Sequence, residues 1–318
     1  MDNKIIAIIL VIIAIIIGGA YVTSHSDDNI VTIGYLPSDH DSALFVAHAQ
    51  GEYANHGIHT KLVQFNNGGD LMTAMASGDV EVGYVGITPV LSSIEKGVPV
   101  KIISAAQTEG SGIVVSPSSG IHSASDLSGK KIATPGEASI QHMLLQYYLK
   151  QNGMSLSDLK VAPMKVPSMN DALKTNKIDG IITFEPYVTT AVDNGNEVLV
   201  KSGEILPNHP CCVVVASDDY LGRHPDETVK LLEIHANATK FINDKIADDD
   251  TDDVVGLLPA DIISNKDIEE DSLESFPFIS GLNESFKKDV KDFMNLEVEL
   301  GILKKPISDD KLYWEGSK

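Results

Sequence analysis

Residues 5–22 form a run of eighteen residues without a charge, dominated by isoleucine. As a helix rising 1.5 Å per residue, such a run spans roughly 27 Å, close to the hydrocarbon thickness of a bilayer. It cannot join a soluble core without leaving a long apolar face in water. It therefore reads as a membrane anchor or a secretion signal. The small residues Gly18, Gly19 and Ala20 offer a cleavage point, and Lys4 against Asp2 gives only a thin positive flank. The length and uniformly aliphatic character favour retention as an anchor. The two cysteines, Cys211 and Cys212, stand far downstream, which excludes a lipid-modified cysteine after the run. The body is expected to be extracytoplasmic, anchored to the cell membrane, or secreted if the segment is cleaved.

Beyond the anchor and the polar tether up to residue 29 remain about 290 residues, enough for two lobes with a core each. Forty-five acidic against 24 basic residues give a net charge of −21. That excludes nucleic acid and an anionic membrane surface as partners and describes a solvated acidic coat. Of the 24 basic residues only Arg223 is an arginine. A site that clamps a carboxylate, sulfonate or phosphate with a bidentate guanidinium fork is thereby nearly ruled out.

From residue 31 onward, strand and helix patterns alternate. Strands are predicted over 31–36, 59–65, 80–85, 100–105 and 113–116. Helices fall over 42–53, 70–77 and 88–96, the last with Thr88 as N-cap and Pro89 at its first position. A second series follows: strand 131–133, a helix over 139–151 capped by Ser139, strand 161–166, helix 169–175 and strand 179–184. A strand over 213–216 then leads to helices over 226–243 and 282–300, separated by the charged loop 247–253. Such alternation is the signature of parallel sheets covered by helices. The fold class is α/β: two lobes, 31–112 with 216–318 and 113–215, joined by two crossovers near 110–112 and 211–216. A ligand belongs between them, beyond the strand ends and at helix starts.

Catalytic signatures are absent: no phosphate-binding loop, dinucleotide fingerprint, H-E-x-x-H or G-x-S-x-G. The ten histidines show no metal-ligand spacing; His40, His48, His56 and His59 read as scattered imidazoles. His209-Pro210-Cys211-Cys212 admits a soft-metal or redox reading, but ahead of Val213-Val214-Val215 the sulfurs also read as small apolar packing. No cofactor, metal or catalytic residue is assigned.

Gly34-Tyr35-Leu36-Pro37, the helix over 43–51, the stretch Leu71 to Val80 and Val82-Gly83-Tyr84-Val85-Gly86-Ile87-Thr88-Pro89 resemble the nitrate/sulfonate/taurine type of ABC-transporter substrate-binding protein. Asp126 to Gly136, Ile178-Asp179-Gly180 and Phe184-Glu185-Pro186-Tyr187 continue the match in order. The resemblance covers about residues 31–243. It implies a type II periplasmic-binding-protein fold, a small-molecule ligand, ABC permease and ATPase partners, and a monomer. It places ligand-binding positions on Ser38, Asp39, His40 and Asp41, on Gly68 and Gly69, and on Gly86, Ile87 and Thr88. Thr108 and Glu109 at the crossing, Gly136, Ser139 and Ile140, and Glu185 complete the set. Helix starts at Thr88 and Ser139 can hold an anionic group on backbone amides alone. Four carboxylates at cleft-side positions (Asp39, Asp41, Glu109, Glu185) would instead favour a solute with an amine or protonated heterocycle. Two other functions stand beside this one. A thiamine-pyrimidine-synthase-like enzyme is echoed by His209 and the paired cysteines. A tethered sensory ectodomain would need a partner chain for output, since four residues precede the apolar run.

Overall fold

The computed structural model describes residues 30–260, 262 and 265–316; the apolar segment 5–22 lies outside the described residues. Among the described residues no helix is long and apolar enough to cross a membrane.

The strands in chain order are β1 (Ile30–Tyr35), β2 (His59–Gln64), β3 (Val82–Gly86), β4 (Val100–Thr108), β5 (Ser111–Val115), β6 (Lys131–Thr134), β7 (Lys160–Pro163), β8 (Gly180–Phe184), β9 (Glu197–Lys201), β10 (Pro210–Ser217) and β11 (Phe278–Gly281). They form two sheets, ordered β11-β4-β10-β3-β1-β2 and β7-β6-β8-β5-β9. In each sheet a strand next to a crossover runs antiparallel to the parallel strands beside it, β10 beside β3 and β5 beside β8, and in the first sheet the edge strand β11 is also antiparallel to β4. β10 is covered on both faces, so it reads as the unbroken apolar run Val213-Val214-Val215 rather than as an alternation.

Several elements differ from the sequence expectation. The helix expected over 42–53 breaks into Ser42–Ala49 and Glu52–Asn55, because Gly51 turns through φ 73° between them. Helix Ile87–Glu95 is entered from Gly86, not capped by Thr88; β3 runs straight into it, and the Thr88 side chain is fully buried. β9 and β11 were not anticipated: Glu197–Lys201 follows an Asn-Gly-Asn turn, and Phe278–Gly281 is a four-residue edge strand. β10 begins at Pro210, so both cysteines lie within it and belong to the first sheet.

The chain leaves the first sheet between Thr108 and Ser111 and returns between Lys201 and Pro210. Glu109 (φ 64°) and Gly110 (φ 69°) make the first crossing through two successive left-handed residues. A Cβ on Gly110 would stand 2.5 Å from His40 Nε2 and 3.0 Å from the Phe276 ring, so the turn demands glycine on both counts. The crossings are tied to each other. Glu109 N–H donates to the His209 carbonyl (3.2 Å), and Asn208 N–H donates to Glu109 Oε1 (2.7 Å).

Candidate functional site

Two helices of different lobes aim their N-termini at the gap between the sheets. Helix Gly68–Ser77 starts after Asn67, whose Oδ1 accepts from Asp70 N–H (2.9 Å). Helix Ile140–Gln151 starts after Ser139, whose Oγ accepts from His142 N–H (3.2 Å). Each cap satisfies one amide and leaves the others of the first turn without an intrahelical partner. The space in and at the mouth of the gap, open solvent included, is about 480 Å³. Its lining includes Ser38, His40, Asp41, Gly68, Gly86, Ser139 and Ile140 from the expected positions.

The remaining expected residues sit elsewhere. Asp39 is fully buried, accepts a hydrogen bond from Ser272 Oγ and faces Glu269, which together with burial holds its carboxyl well above the usual range. Glu185 accepts from Thr189 N–H (3.0 Å) and Ser275 Oγ (3.3 Å), while its own N–H donates to the Gly110 carbonyl (3.0 Å). Glu109 joins the crossings. Thr88 points into the core beside Glu297, and Gly69, Ile87, Thr108 and Gly136 do not line the gap. Of the four carboxylates placed cleft-side from the sequence, Asp41 alone borders it. The others are held by other groups: Ser272 Oγ on Asp39, Thr189 N–H and Ser275 Oγ on Glu185, and Asn208 N–H on Glu109.

Residues not anticipated fill the rest of the wall: Leu36, Asn66, Asn67, Pro89, Pro135, Gln141, Phe184 and Cys212. Asn67 carried a readable signal, an asparagine directly before a helical run with Asp70 three positions on. Among the described residues no lysine or arginine lines the gap. Arg223 is on a surface helix, paired with Asp219 at 2.7 Å.

The floor of the gap is built around His40. Its Nε2 lies 2.9 Å from the Gly110 carbonyl, which can only accept, so Nε2 carries the proton. Nδ1 then presents its lone pair to Cys211 Sγ and Cys212 Sγ, each at 3.7 Å. Phe276 packs edge-on against the imidazole at 4.9 Å and Phe184 at 5.7 Å. Burial opposes charge on His40, yet the Cys211 sulfur and Asp41 outweigh it and its pKa rises. Burial likewise opposes a Cys211 thiolate, but hydrogen bonding from Cys212 and the charge of His40 pull its pKa well below the usual thiol range. Cys212, donating to that sulfur and buried, is held well above it. Asp41 Oδ2 accepts from Leu36 N–H (2.9 Å), but burial dominates and lifts its carboxyl to about 8. It is therefore largely neutral at pH 7 in the empty site.

Two α/β lobes, two crossovers and a gap walled by helix starts define a two-sheet binding-protein fold. The chain belongs to the NMT1-like family, whose model matches residues 24–256. The taurine-binding periplasmic protein of Escherichia coli is 27% identical over 201 residues, covering 62% of this chain and 61% of that protein's length. Among solved structures, the ligand-binding component of an ABC-type import system from Staphylococcus aureus, with zinc bound, superposes with a TM-score of 0.78 at 21% identity, over 91% of this chain and 99% of that one. The alkanesulfonate-binding protein SsuA from Xanthomonas axonopodis, bound to MOPS, gives 0.77 at 18% identity, over 91% and 99%. A 4-amino-5-hydroxymethyl-2-methylpyrimidine phosphate synthase of Uromyces fabae is 25% identical over 219 residues, 64% of this chain and 63% of that protein.

Proposed function

We propose that this chain is the extracytoplasmic solute-binding component of an ABC importer, which captures a small solute between its lobes and delivers it to a permease–ATPase pair. One observation carries the reading: two capped helix starts, at Gly68 and Ile140, border one gap that no cationic side chain among the described residues lines. Unpaired amides with the positive end of a helix dipole hold an anionic group without a guanidinium. The sulfonate- and taurine-binding relatives support that solute class. Asp41, neutral in the empty site, does not repel the anion. An ammonium on the same solute would draw its proton off and pair with it. The arrangement thus favours a taurine-like zwitterion over nitrate.

The residues assigned to binding are Ser38, His40, Asp41, Gly68, Gly86, Ser139 and Ile140, joined by Asn67 and Gln141. The lobes built on the two sheets, with β10 in the first, close by hinging at the crossings between Thr108 and Ser111 and between Lys201 and Pro210. Residues 5–22 tether the protein, as a monomer, to the membrane it serves. A nitrogenous heterocycle is the second reading, favoured by the Phe184 ring beside the Asn66, Asn67 and Gln141 amides.

The test is thermal unfolding of the purified full chain against taurine, alkanesulfonates, nitrate and aminopyrimidines. A ligand at a hundred times its Kd adds about 2.7 kcal/mol of stability. Stabilisation by an aminopyrimidine alone selects the second reading. No shift with any of them at millimolar concentration overturns both.

A further inference from the structure

Neighbouring residues of a β-strand point to opposite faces. Cys211 and Cys212 do not obey that rule toward His40, since both sulfurs lie 3.7 Å from the same Nδ1. The cause is visible in the pairing of β10 with β4, whose register slips between Pro210 and Cys212 and again between Cys212 and Val213. An irregularity of this kind re-aims side chains. Here it turns two vicinal thiols onto one imidazole, and the three donor atoms all fall within 4.8 Å of one another.

We propose that His40 Nδ1, Cys211 Sγ and Cys212 Sγ form a three-ligand site for Zn²⁺ at the floor of the gap, its fourth position open to the cleft. In a tetrahedral zinc site, Zn–S of about 2.3 Å and Zn–N of about 2.05 Å place nitrogen and sulfur roughly 3.6 Å apart. The observed 3.7 Å leaves the ligands already assembled. His40 also carries the support that metal-bound imidazoles use, its other nitrogen donating to the Gly110 carbonyl at 2.9 Å. Two thiolates and a neutral imidazole cancel the charge of a divalent ion, so the buried complex is neutral. A monovalent soft ion would leave a negative charge buried. His40 and Cys212 border the gap, which gives the ion its way in, and Asp41 Oδ1 nearby is buried without a hydrogen-bond partner. Binding releases two protons from the His40–Cys211–Cys212 cluster to solvent, with no change in oxidation state. The site lies apart from the helix starts but shares His40 and the gap with the solute, and the proposal rests on the imidazole and the two thiols rather than on the solute's identity.

Purified full-length protein, reduced and stripped with a chelator, is titrated with Co²⁺ as a spectroscopic stand-in and then with Zn²⁺. The expected result is a thiolate-to-cobalt charge-transfer band that saturates at one equivalent and is abolished by one equivalent of Zn²⁺. Cys211→Ser and Cys212→Ser should each weaken binding at least about tenfold. Zn²⁺ should also slow alkylation of Cys212 in the unaltered protein, a readout that needs no variant to fold. Absence of the band, its survival in both serine variants, or an alkylation rate indifferent to Zn²⁺ overturns the proposal. Solute-induced stabilisation is measured on the same samples, so failure of metal binding and failure of the transport reading are told apart.

Discussion

Glu297 is fully buried near the end of helix Glu284–Glu299, and neither carboxylate oxygen has a hydrogen-bond partner among the described residues. Burial lifts its pKa from 4.5 to about 8, against a small opposing influence from the Thr88 hydroxyl. The fold therefore favours the protonated acid. Stability from this group is complete below the unfolded pKa and is lost as pH rises through the folded one. Between about pH 6.5 and 8 the loss accumulates at 1.36 kcal/mol per pH unit, or about 2 kcal/mol over the window. Over the whole interval from 4.5 to 8 it reaches about 5 kcal/mol, comparable to the entire stability of a marginal domain. Glu297→Gln keeps the shape and removes the proton. Urea unfolding of the full chain and of this variant, at steps between about pH 6.5 and 9, should give curves that diverge in favour of glutamine by about 2 kcal/mol. Parallel curves would mean that Glu297 reaches solvent or a partner, and that Thr88 faces something other than an acid in the core.

Opposite behaviour is expected at His235, whose Nε2 donates to the Ala105 carbonyl at 2.8 Å and whose Nδ1 meets the Tyr84 hydroxyl at 3.1 Å. Burial lowers its pKa from 6.5 to about 4. Its contribution is present above 6.5 and lost on acidification toward 4, about 3 kcal/mol in all. Acid unfolding of His235→Gln should be shallower over that range than that of the unaltered chain. Gly110→Ala combines a left-handed φ with contacts of 2.5 and 3.0 Å to His40 and Phe276, and should lower stability by about 2–4 kcal/mol in denaturant titration. Asn67→Ala removes a helix cap and should cost about 1 kcal/mol while weakening any stabilising solute found in the thermal screen.

The parts of this molecule that were readable in the chain are those set by local rules. Alternation of strands and helices placed two α/β series, and Ser139 announced its helix because a cap is a contact between residues three apart. Thr88 failed for a tertiary reason. Its hydroxyl was a plausible cap, but β3 carries the chain into the helix from Gly86, and the packing of helix Glu284–Glu299 captures the side chain instead. Three of the four acids, Asp39, Glu109 and Glu185, were misplaced for a similar reason. Sequence position put them near the strand ends, while Ser272, Ser275, Thr189 and Asn208, far off in the chain except for Thr189, decide where the carboxylates point.

The floor of the gap lay furthest beyond sequence reading, and it shows what information was missing. His40 and the cysteines are about 170 positions apart, so no spacing motif can join them. Even given the contact, ideal strand geometry would send one thiol to each face of the sheet. Two facts place both on His40. The register of β10 slips against β4, and the Gly110 carbonyl fixes the imidazole with its lone pair turned inward. The second is set at the first crossing, where the Gly110 carbonyl accepts from His40 Nε2 and Glu185 N–H together. The crossing that joins the lobes thus also orients the imidazole, and any motion that moves Gly110 relative to β10 alters the geometry of His40, Cys211 and Cys212. If the lobes hinge at these crossings and the three ligands hold zinc as proposed, closure and occupancy are coupled through one carbonyl. Gly110→Ala should accordingly lower affinity for Co²⁺ as well as stability, although residue 110 supplies no ligand itself.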